Sequence, residues 1–228
     1  MSDFDFTITS HCNAACPSCK RYPDYQKEYF NPNQQLHPNL RQLHVDFDDF
    51  KAIIERNMHN FKDKLVTYEG ELGDALVHPQ LESFIDYGCS VFGILNLVTN
   101  GGVRSPSFYK KLGEKYRNLE ITFSIDGMED DTNQLYRRKV NTKRALLNMS
   151  TYANTKYGEG ATYWQFLLFD HNYFEVQDAL EFSQLHNIML YLKFNQRPKF
   201  KISEKRKELA TRSFEIHKHH KSTLSLGS

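Results

Sequence analysis

Short apolar stretches alternate with longer amphipathic ones along most of the chain. Residues 4–9, Phe-Asp-Phe-Thr-Ile-Thr, alternate apolar and polar positions, which is the period-two pattern of a strand with one buried face. Comparable segments, bounded by polar or glycine-containing turns, follow at 65–68, 92–99, 120–126, 161–169 and 189–194. The pattern therefore predicts six strands.

Between these strands, apolar residues recur at helical spacing. An acidic first turn, which suits the N-terminal end of a helix dipole, predicts the first helix over 46–56. Further helices are predicted over 78–87, 107–116, 143–157 and 174–185. Strands that alternate with helices in this way form right-handed crossover units, so we expect an α/β fold with a parallel sheet. Residues 21–46 lack periodicity and predict a long loop.

Polar and chemically reactive residues follow each predicted strand at the point where it ends. In parallel α/β barrels the active site is built from the loops at the carboxyl ends of the strands. The residues in question are, in chain order, a cysteine-rich loop, Gly73 with Asp74, Asn100, Asp126, Asp170 with His171, and Asn195. This placement supports one shared site, and the alternative is that turn residues simply favour strand ends.

The cysteine loop, residues 11–20, is the most specific of these features. Cys12, Cys16 and Cys19 are separated by three and by two residues. Thiolates are preferred ligands for iron-sulfur clusters and zinc, and three cysteines leave one iron of a 4Fe-4S cluster open to another ligand. The alternatives are buried thiols or a zinc site completed by His11 or a distant group, although structural zinc sites usually present paired Cys-x2-Cys knuckles.

The spacing Cys-x3-Cys-x2-Cys after a short strand resembles the signature of the radical S-adenosylmethionine (radical SAM) superfamily. The resemblance covers residues 4–195. It implies a partial (βα)6 TIM-like barrel over residues 1–196, with a basic C-terminal helix or tail over 197–228. It also implies that the three cysteines bind a 4Fe-4S cluster whose open iron is chelated by S-adenosylmethionine. Reductive cleavage of S-adenosylmethionine then gives a 5′-deoxyadenosyl radical that abstracts hydrogen from a substrate.

Other positions are similar to family motifs that bind S-adenosylmethionine. Gly73 and Asp74 correspond to the end of a Gly-Gly-Glu motif that contacts the amine, with Asp in place of Glu. Asn100 lies in a Thr-Asn-Gly segment that ends the third strand, and Ser124 with Asp126 resembles the segment that holds the ribose. The plain alternative for each is an ordinary turn after a strand.

An arginine after the fourth strand often pairs with the carboxylate of S-adenosylmethionine in the family, a geometry that suits guanidinium. Arg137 and Arg138 both qualify, and the spacing favours Arg138; a surface ion pair with the preceding acidic turn is the alternative. The residue before the third cysteine is usually aromatic and packs on adenine, but Ser18 stands there. Trp164 or Phe166 are candidates for the missing contact, unless they belong to the core.

The sequence does not identify the substrate. Candidates for substrate contact on the predicted rim are Gln165, Asp170, His171, Lys193 and Asn195. The resemblance to peptide-modifying relatives favours a peptide substrate, and it implies a low-potential electron donor, flavodoxin or ferredoxin. No cysteine follows Cys89, which predicts a single cluster, and Cys89 itself is expected to be a buried thiol.

Composition narrows the remaining possibilities. The 228 residues include 29 Lys and Arg and 28 Asp and Glu, so the charge balance gives no footprint of a nucleic-acid or membrane binder. No apolar run is long enough to cross a bilayer and the N-terminus lacks signal-peptide features, so a cytoplasmic protein with reduced cysteines is expected. The histidines between 217 and 220 are expected to belong to a solvated basic tail.

Two other functions compete with the enzyme. The first is a non-enzymatic metal-binding module, in which zinc or a cluster stabilises the long loop; it predicts that changes at Asp126 or Arg138 leave ligand binding unaltered. The second is an electron-transfer protein, which is disfavoured because an open iron brings it no advantage.

Overall fold

The strands lie side by side in the same order as in the sequence. The structure, a computed structural model, describes residues 3–23, 34–157, 161–194, 202–217 and 223–224. The strands are β1 (Phe4–Phe6), β2 (Leu65–Tyr68), β3 (Ile94–Thr99), β4 (Leu119–Ser124), β5 (Thr162–Leu168), β6 (Met189–Phe194) and the two-residue β7 (Thr223–Leu224). Each pairs in parallel with the next. The predicted six strands and their parallel arrangement are confirmed.

The sheet is an open barrel, since β1 and β7 form its two edges and no ladder joins them among the described residues. The first strand is shorter than expected because Thr9 leaves the sheet and forms an antiparallel bridge with His44 instead. The boundary expected at residue 196 stays a prediction.

Helices connect successive strands. They are α1 (Phe47–Arg56), the short α2 (Met58–Phe61), α3 (Leu81–Val91), α4 (Pro106–Lys115), α5 (Asp130–Tyr136), α6 (Thr142–Thr155), α7 (Val176–Leu185) and α8 (Glu204–His217). Local sequence signals define several starts: the Asp46 carboxylate accepts the N–H groups of residues 48 and 49, and Ser105 caps α4 ahead of Pro106. The predicted helices therefore begin within three residues of their expected positions.

Helix α5 lies where the sequence predicts only an acidic turn ahead of Arg137. The helix has only seven residues, too few for an apolar period to show in the sequence. No described helix of the chain has the length and apolar character that a transmembrane segment requires.

The apolar core lies between the outer face of the sheet and the helices. Because side chains alternate along a strand, every second residue faces the helices, and Leu95, Ile121, Phe123, Trp164 and Phe166 are completely buried there. Burial of such side chains stabilises the fold by about 1.5–3 kcal/mol each. Trp164 and Phe166, the candidates for an adenine contact, are thus core residues.

The inner face of the sheet is polar. Asn96, Thr122, Ser124 and Gln165 occupy the alternate positions, and the Thr122 hydroxyl donates a hydrogen bond of 3.0 Å to Asn96 Oδ1. In closed TIM barrels the interior is filled by branched apolar side chains. The polar inner face here suits a wet interior that receives a polar ligand.

Candidate cofactor site

A cavity of about 330 Å³ lies at the carboxyl ends of the strands. The loops that follow β1, β2 and β3 and the end of β4 all contribute to its wall. Eight of the residues that the sequence singled out line this one cavity: Cys12, Cys16, Cys19, Gly73, Asp74, Asn100, Ser124 and Arg137. Folding therefore brings most of the predicted metal and cofactor residues from five separate segments into one place, although Asp126 and Arg138 do not line the cavity.

The thiols in this cavity are half-buried. Burial raises the pKa of Cys12 to about 12, with the nearby Asp74 carboxylate adding to the shift. Burial also raises the pKa of Cys16, while the neighbouring Arg137 guanidinium opposes the increase. The Ala14 N–H donates to Cys12 Sγ at 3.4 Å. Thiols in such surroundings lose their protons to solvent readily only when a cationic partner such as a metal centre binds the sulfur.

The cavity offers three thiols as metal-binding donors. Ligands of a zinc ion all lie within about 2.3 Å of one point, whereas the cysteines of a cluster each bind a different iron. Among the described residues, no three His, Cys, Asp or Glu side chains converge closely enough for a single ion. His11, the candidate fourth zinc ligand, stacks on His44 with ring centroids 4.3 Å apart. Thiols are the donors that an iron-sulfur cluster requires, and three of them line this one cavity.

Asp74 holds the wall of the cavity together. Its carboxylate is buried and accepts hydrogen bonds from Asn100 N–H (2.8 Å), Asn100 Nδ2 (2.7 Å), Thr99 Oγ1 (3.0 Å) and Leu76 N–H (3.0 Å). Its own N–H donates to His11 O at 2.8 Å. Burial raises the pKa of Asp74, and the hydrogen bonds from Asn100 and Leu76 oppose this. Asp74 thereby ties the β2 loop to the cysteine loop and to the end of β3.

Gly73 is required by the close passage of two backbones. A Cβ atom at this position would lie 2.1 Å from Thr9 O and 2.8 Å from His11 O. Both atoms belong to main chain, which cannot move aside as a side chain would. Glycine therefore allows the β2 loop to lie directly against the start of the cysteine loop.

Asp126 and Arg137 form a buried ion pair beside the cavity. Asp126 Oδ2 accepts from Arg137 Nε at 2.6 Å, and Asp126 Oδ1 accepts from Leu167 N–H at 2.8 Å. Burial raises the pKa of Asp126, and the Arg137 charge partly offsets this. Arg137 lines the cavity, whereas Arg138 offers its backbone carbonyl to Ala15 N–H at 3.0 Å. The ribose role of Asp126 and the carboxylate role of Arg138 stay predictions.

The described substrate candidates lie on β5, on β6 and in the loop after β5. Gln165 and Lys193 are on β5 and β6, half-buried. Asp170 is exposed and binds the C-terminal segment through Arg206 Nη1 (3.0 Å) and Ser203 N–H (2.9 Å). The His171 ring stacks on Phe169 with centroids 4.9 Å apart, and Asn195 lies outside the described residues. None of the four described candidates lines the cavity of the thiols.

Three further residues of the cavity wall were missed by sequence reasoning. Arg21 is buried and donates through Nη1 to Ala14 O at 3.3 Å, inside the cysteine loop. Tyr136 is buried, lines the cavity, and packs on Phe169 with centroids 4.8 Å apart. Leu167 completes the wall from β5. Tyr136 is the last residue of α5, so a prediction of that helix from the sequence would have pointed to Tyr136.

Solved structures with the same fold are radical SAM enzymes. SuiB of Streptococcus suis bound to S-adenosylmethionine has 11% sequence identity and a TM-score of 0.70, over 97% of this chain and 50% of SuiB. anSMEcpe with bound AdoMet has 14% identity and a TM-score of 0.63, over 93% and 57% of the two chains. TYW1 with a lysine-pyruvate adduct has 14% identity and a TM-score of 0.53, over 90% and 70%.

The chain thus has the fold of radical SAM enzymes, which confirms the predicted partial barrel. It spans about half the length of the SuiB structure. The sequence matches no protein-family profile and no curated protein. Identities of this size establish the fold, and function has to be argued from the cavity.

Proposed function

We propose that this chain is a radical SAM enzyme, with Cys12, Cys16 and Cys19 holding one 4Fe-4S cluster beside bound S-adenosylmethionine. The observation that carries the proposal is that all three thiols line one cavity at the carboxyl ends of the strands, in a partial barrel of that fold. When bound, the cluster supplies the electron that cleaves the sulfonium of S-adenosylmethionine and so starts hydrogen abstraction from a substrate.

The residues around the thiols have separate tasks in this proposal. Asn100 Nδ2 lies 3.8 Å from Cys12 Sγ as a donor, and Arg137 lies beside Cys16, so both stabilise negative charge on the sulfurs. Gly73, Asp74 and the Ser124 hydroxyl form the polar wall that receives the amine and ribose of S-adenosylmethionine.

Arg137 is assigned the contact with the carboxylate of S-adenosylmethionine that the spacing alone gives to Arg138. Arg137 lines the cavity, and Asp126 fixes its Nε, so the guanidinium is held in place before any ligand arrives. Tyr136 is assigned the aromatic contact that the position of Ser18 cannot supply. Both assignments follow from the same turn at the end of α5.

A peptide is the proposed substrate class. The neighbouring structures include SuiB bound to its precursor peptide SuiA and anSMEcpe bound to the Cp18Cys peptide. The polar inner face, with Asn96, Thr122, Gln165 and Lys193, supplies hydrogen-bonding groups of the kind that peptide amides and side chains need. Electrons are proposed to come from a low-potential carrier such as flavodoxin or ferredoxin.

The test is 5′-deoxyadenosine formation by anaerobically reconstituted protein given S-adenosylmethionine and dithionite. Wild type is expected to form the product, and Cys16→Ala is expected to form none. Cys89→Ala is the matched control, because Cys89 is a half-buried thiol away from the cavity and its loss should leave the product unchanged. Wild-type protein that carries four irons but neither binds S-adenosylmethionine nor forms the product would instead indicate a metal-binding module.

A further inference from the structure

A cationic surface lies next to the cysteine loop. Residues 137–144 contain five Lys and Arg and no Asp or Glu, although the whole chain is nearly neutral. Arg137 forms an ion pair with Asp126. Lys139, Lys143 and Arg144 are exposed, and Arg104 from the loop after β3 joins them. These last four residues are called the basic surface below.

Two arginines of the basic surface are held in place by carbonyl groups. Arg144 donates through Nε (3.1 Å) and Nη2 (2.7 Å) to Arg104 O. Arg104 in turn donates to Leu76 O and His78 O, both at 2.8 Å. Carbonyl contacts fix a guanidinium without cancelling its charge, so the arginines present a preorganised positive potential.

The positive charge of the basic surface is not neutralised by ion pairs. Across the parts of the chain that the structure describes, no carboxylate lies within 4.0 Å of Arg104, Lys139, Lys143 or Arg144. The nearby Asp130 carboxylate is occupied by Thr142 N–H at 2.8 Å and also feels the Lys143 charge. Such a patch attracts acidic partners over distances of about one Debye length.

Exposed apolar side chains flank the cations. Leu147 is 54% exposed and follows Lys143 and Arg144 by four and three positions on α6, so it shares their face of the helix. Leu135 on α5 is 48% exposed. Apolar groups inside a charged rim are the anatomy of a contact with a protein, whereas binding of single-stranded nucleic acid relies on stacked aromatic rings.

The basic surface is also directly connected to the thiols. The Arg138 carbonyl accepts the Ala15 N–H at 3.0 Å, and Ala15 is followed by Cys16. Lys139, the next residue, adopts a φ of 65° and turns the chain outward to an exposed side chain. One hydrogen bond and one peptide unit therefore separate the surface turn from a proposed metal ligand.

We infer that the basic surface docks an acidic, low-potential electron-carrier protein that reduces the metal centre held by the cysteine loop. This inference rests on the proposed function. In the complex the carrier loses one electron and the metal centre gains it, so no other reactant is needed. Electron-transfer complexes have small polar interfaces, and complementary charge on the two proteins steers their association.

The experiment uses the full chain and flavodoxin as the acidic probe. The test variant is Lys139→Glu/Lys143→Glu. The matched control is Lys62→Glu/Lys64→Glu, which makes the same charge change at two exposed lysines before β2, at the opposite end of the sheet. Circular dichroism and thermal midpoints establish that both variants are folded.

Two quantities are measured: flavodoxin affinity by titration at several salt concentrations, and the rate of cluster reduction by flavodoxin hydroquinone under anaerobic conditions. The test variant is expected to lose about ten-fold or more in both at low ionic strength, with a weaker salt dependence. Reduction by dithionite should stay at the wild-type rate, and the control variant should match wild type throughout.

Equal losses in the test and control variants, or none in either, would overturn the docking surface. A second result would also overturn it: wild type binds a single-stranded oligonucleotide, the test variant does not, and both bind flavodoxin equally. The surface would then bind nucleic acid. Failure of the proposed function is separately visible. In that case dithionite yields no 5′-deoxyadenosine, although flavodoxin affinity still distinguishes the test variant from its control.

Discussion

Loss of the Asp126 carboxylate is expected to lower the free energy of unfolding by about 3–5 kcal/mol, the range for breaking one partner of a buried ion pair. The Asp126 side chain is completely buried and that of Arg137 is 18% exposed. In Asp126→Leu the guanidinium loses its counter-charge, and Leu167 N–H loses the acceptor that it has at 2.8 Å. The second loss alone is worth about 1–3 kcal/mol.

The same reasoning predicts a strong coupling between the two residues. Arg137→Met leaves a buried carboxylate without its partner and is expected to cost a similar amount. The double variant Asp126→Leu/Arg137→Met contains neither charge, and replacement of a buried pair by apolar side chains is often close to neutral. The double variant still leaves Leu167 N–H without its acceptor, so it should cost about 1–3 kcal/mol. The interaction energy from the cycle, which is the double cost minus the two single costs, should therefore be at least about 3 kcal/mol in magnitude.

The four proteins are compared by urea denaturation of the cluster-free chain at neutral pH under reducing conditions, with linear extrapolation to water. Glu114→Ala serves as the control, because Glu114 pairs with Lys110 at 3.6 Å on the exposed face of α4. That exposed pair should contribute no more than about 0.5 kcal/mol. The reasoning is refuted if Asp126→Leu costs no more than Glu114→Ala, or if the double variant costs the sum of the two single ones.

Two other predictions concern Gly73 in the loop after β2 and the half-buried Lys156. Gly73→Ala places a Cβ atom 2.1 Å from Thr9 O, so it should lower both the thermal midpoint and the iron content after reconstitution. The control variant Leu72→Ala should change neither quantity. If the two variants behave alike, the close backbone contact at Gly73 is contradicted. Burial lowers the pKa of Lys156 to about 8 from 10.5, so the unfolded chain binds more protons in this window and stability rises with pH from 8 to 10.5. Lys156→Met should therefore raise the unfolding free energy at neutral pH by about 1–2 kcal/mol, a value reduced for the partial exposure of the side chain. It should also flatten the dependence of the unfolding free energy on pH, measured by urea titration at several pH values. An unchanged pH dependence would contradict this role of Lys156.

Features with local signals were predictable from the sequence. β2 and β6 match their predicted bounds, because each is a short run of β-branched, aromatic or aliphatic residues between turns. The start of α1 followed from its acidic first turn, and in the structure the Asp46 carboxylate caps that turn. The cysteine loop was found through spacing alone, and the rim position of Asp74 and Asn100 followed from the order of strands and turns.

Features that depend on tertiary contacts were not predictable. The choice between Arg137 and Arg138 depends on the conformation of the turn after α5. In this turn the Arg137 side chain lines the cavity, whereas the backbone carbonyl of Arg138 accepts the Ala15 N–H. The sequence makes Trp164 a candidate for a cofactor contact because it is an aromatic residue on the fifth strand. Its ring faces the helices instead, and its Nε1 donates to Ile125 O at 2.8 Å inside the core.

Asp74 shows why a motif residue needs a structural control before a binding role is tested. A chain of contacts runs from its carboxylate to Asn100, and from Asn100 Nδ2 to Asn13 Oδ1 at 2.8 Å and Cys12 Sγ at 3.8 Å. The Asp74 N–H donates to His11 O at 2.8 Å, so Asp74 also contacts the residue that precedes Cys12. Any substitution that removes the carboxylate frees four donors and loosens the first cysteine. Loss of activity at this position therefore reports a ligand contact only if the iron content and the unfolding free energy of the cluster-free chain are unchanged.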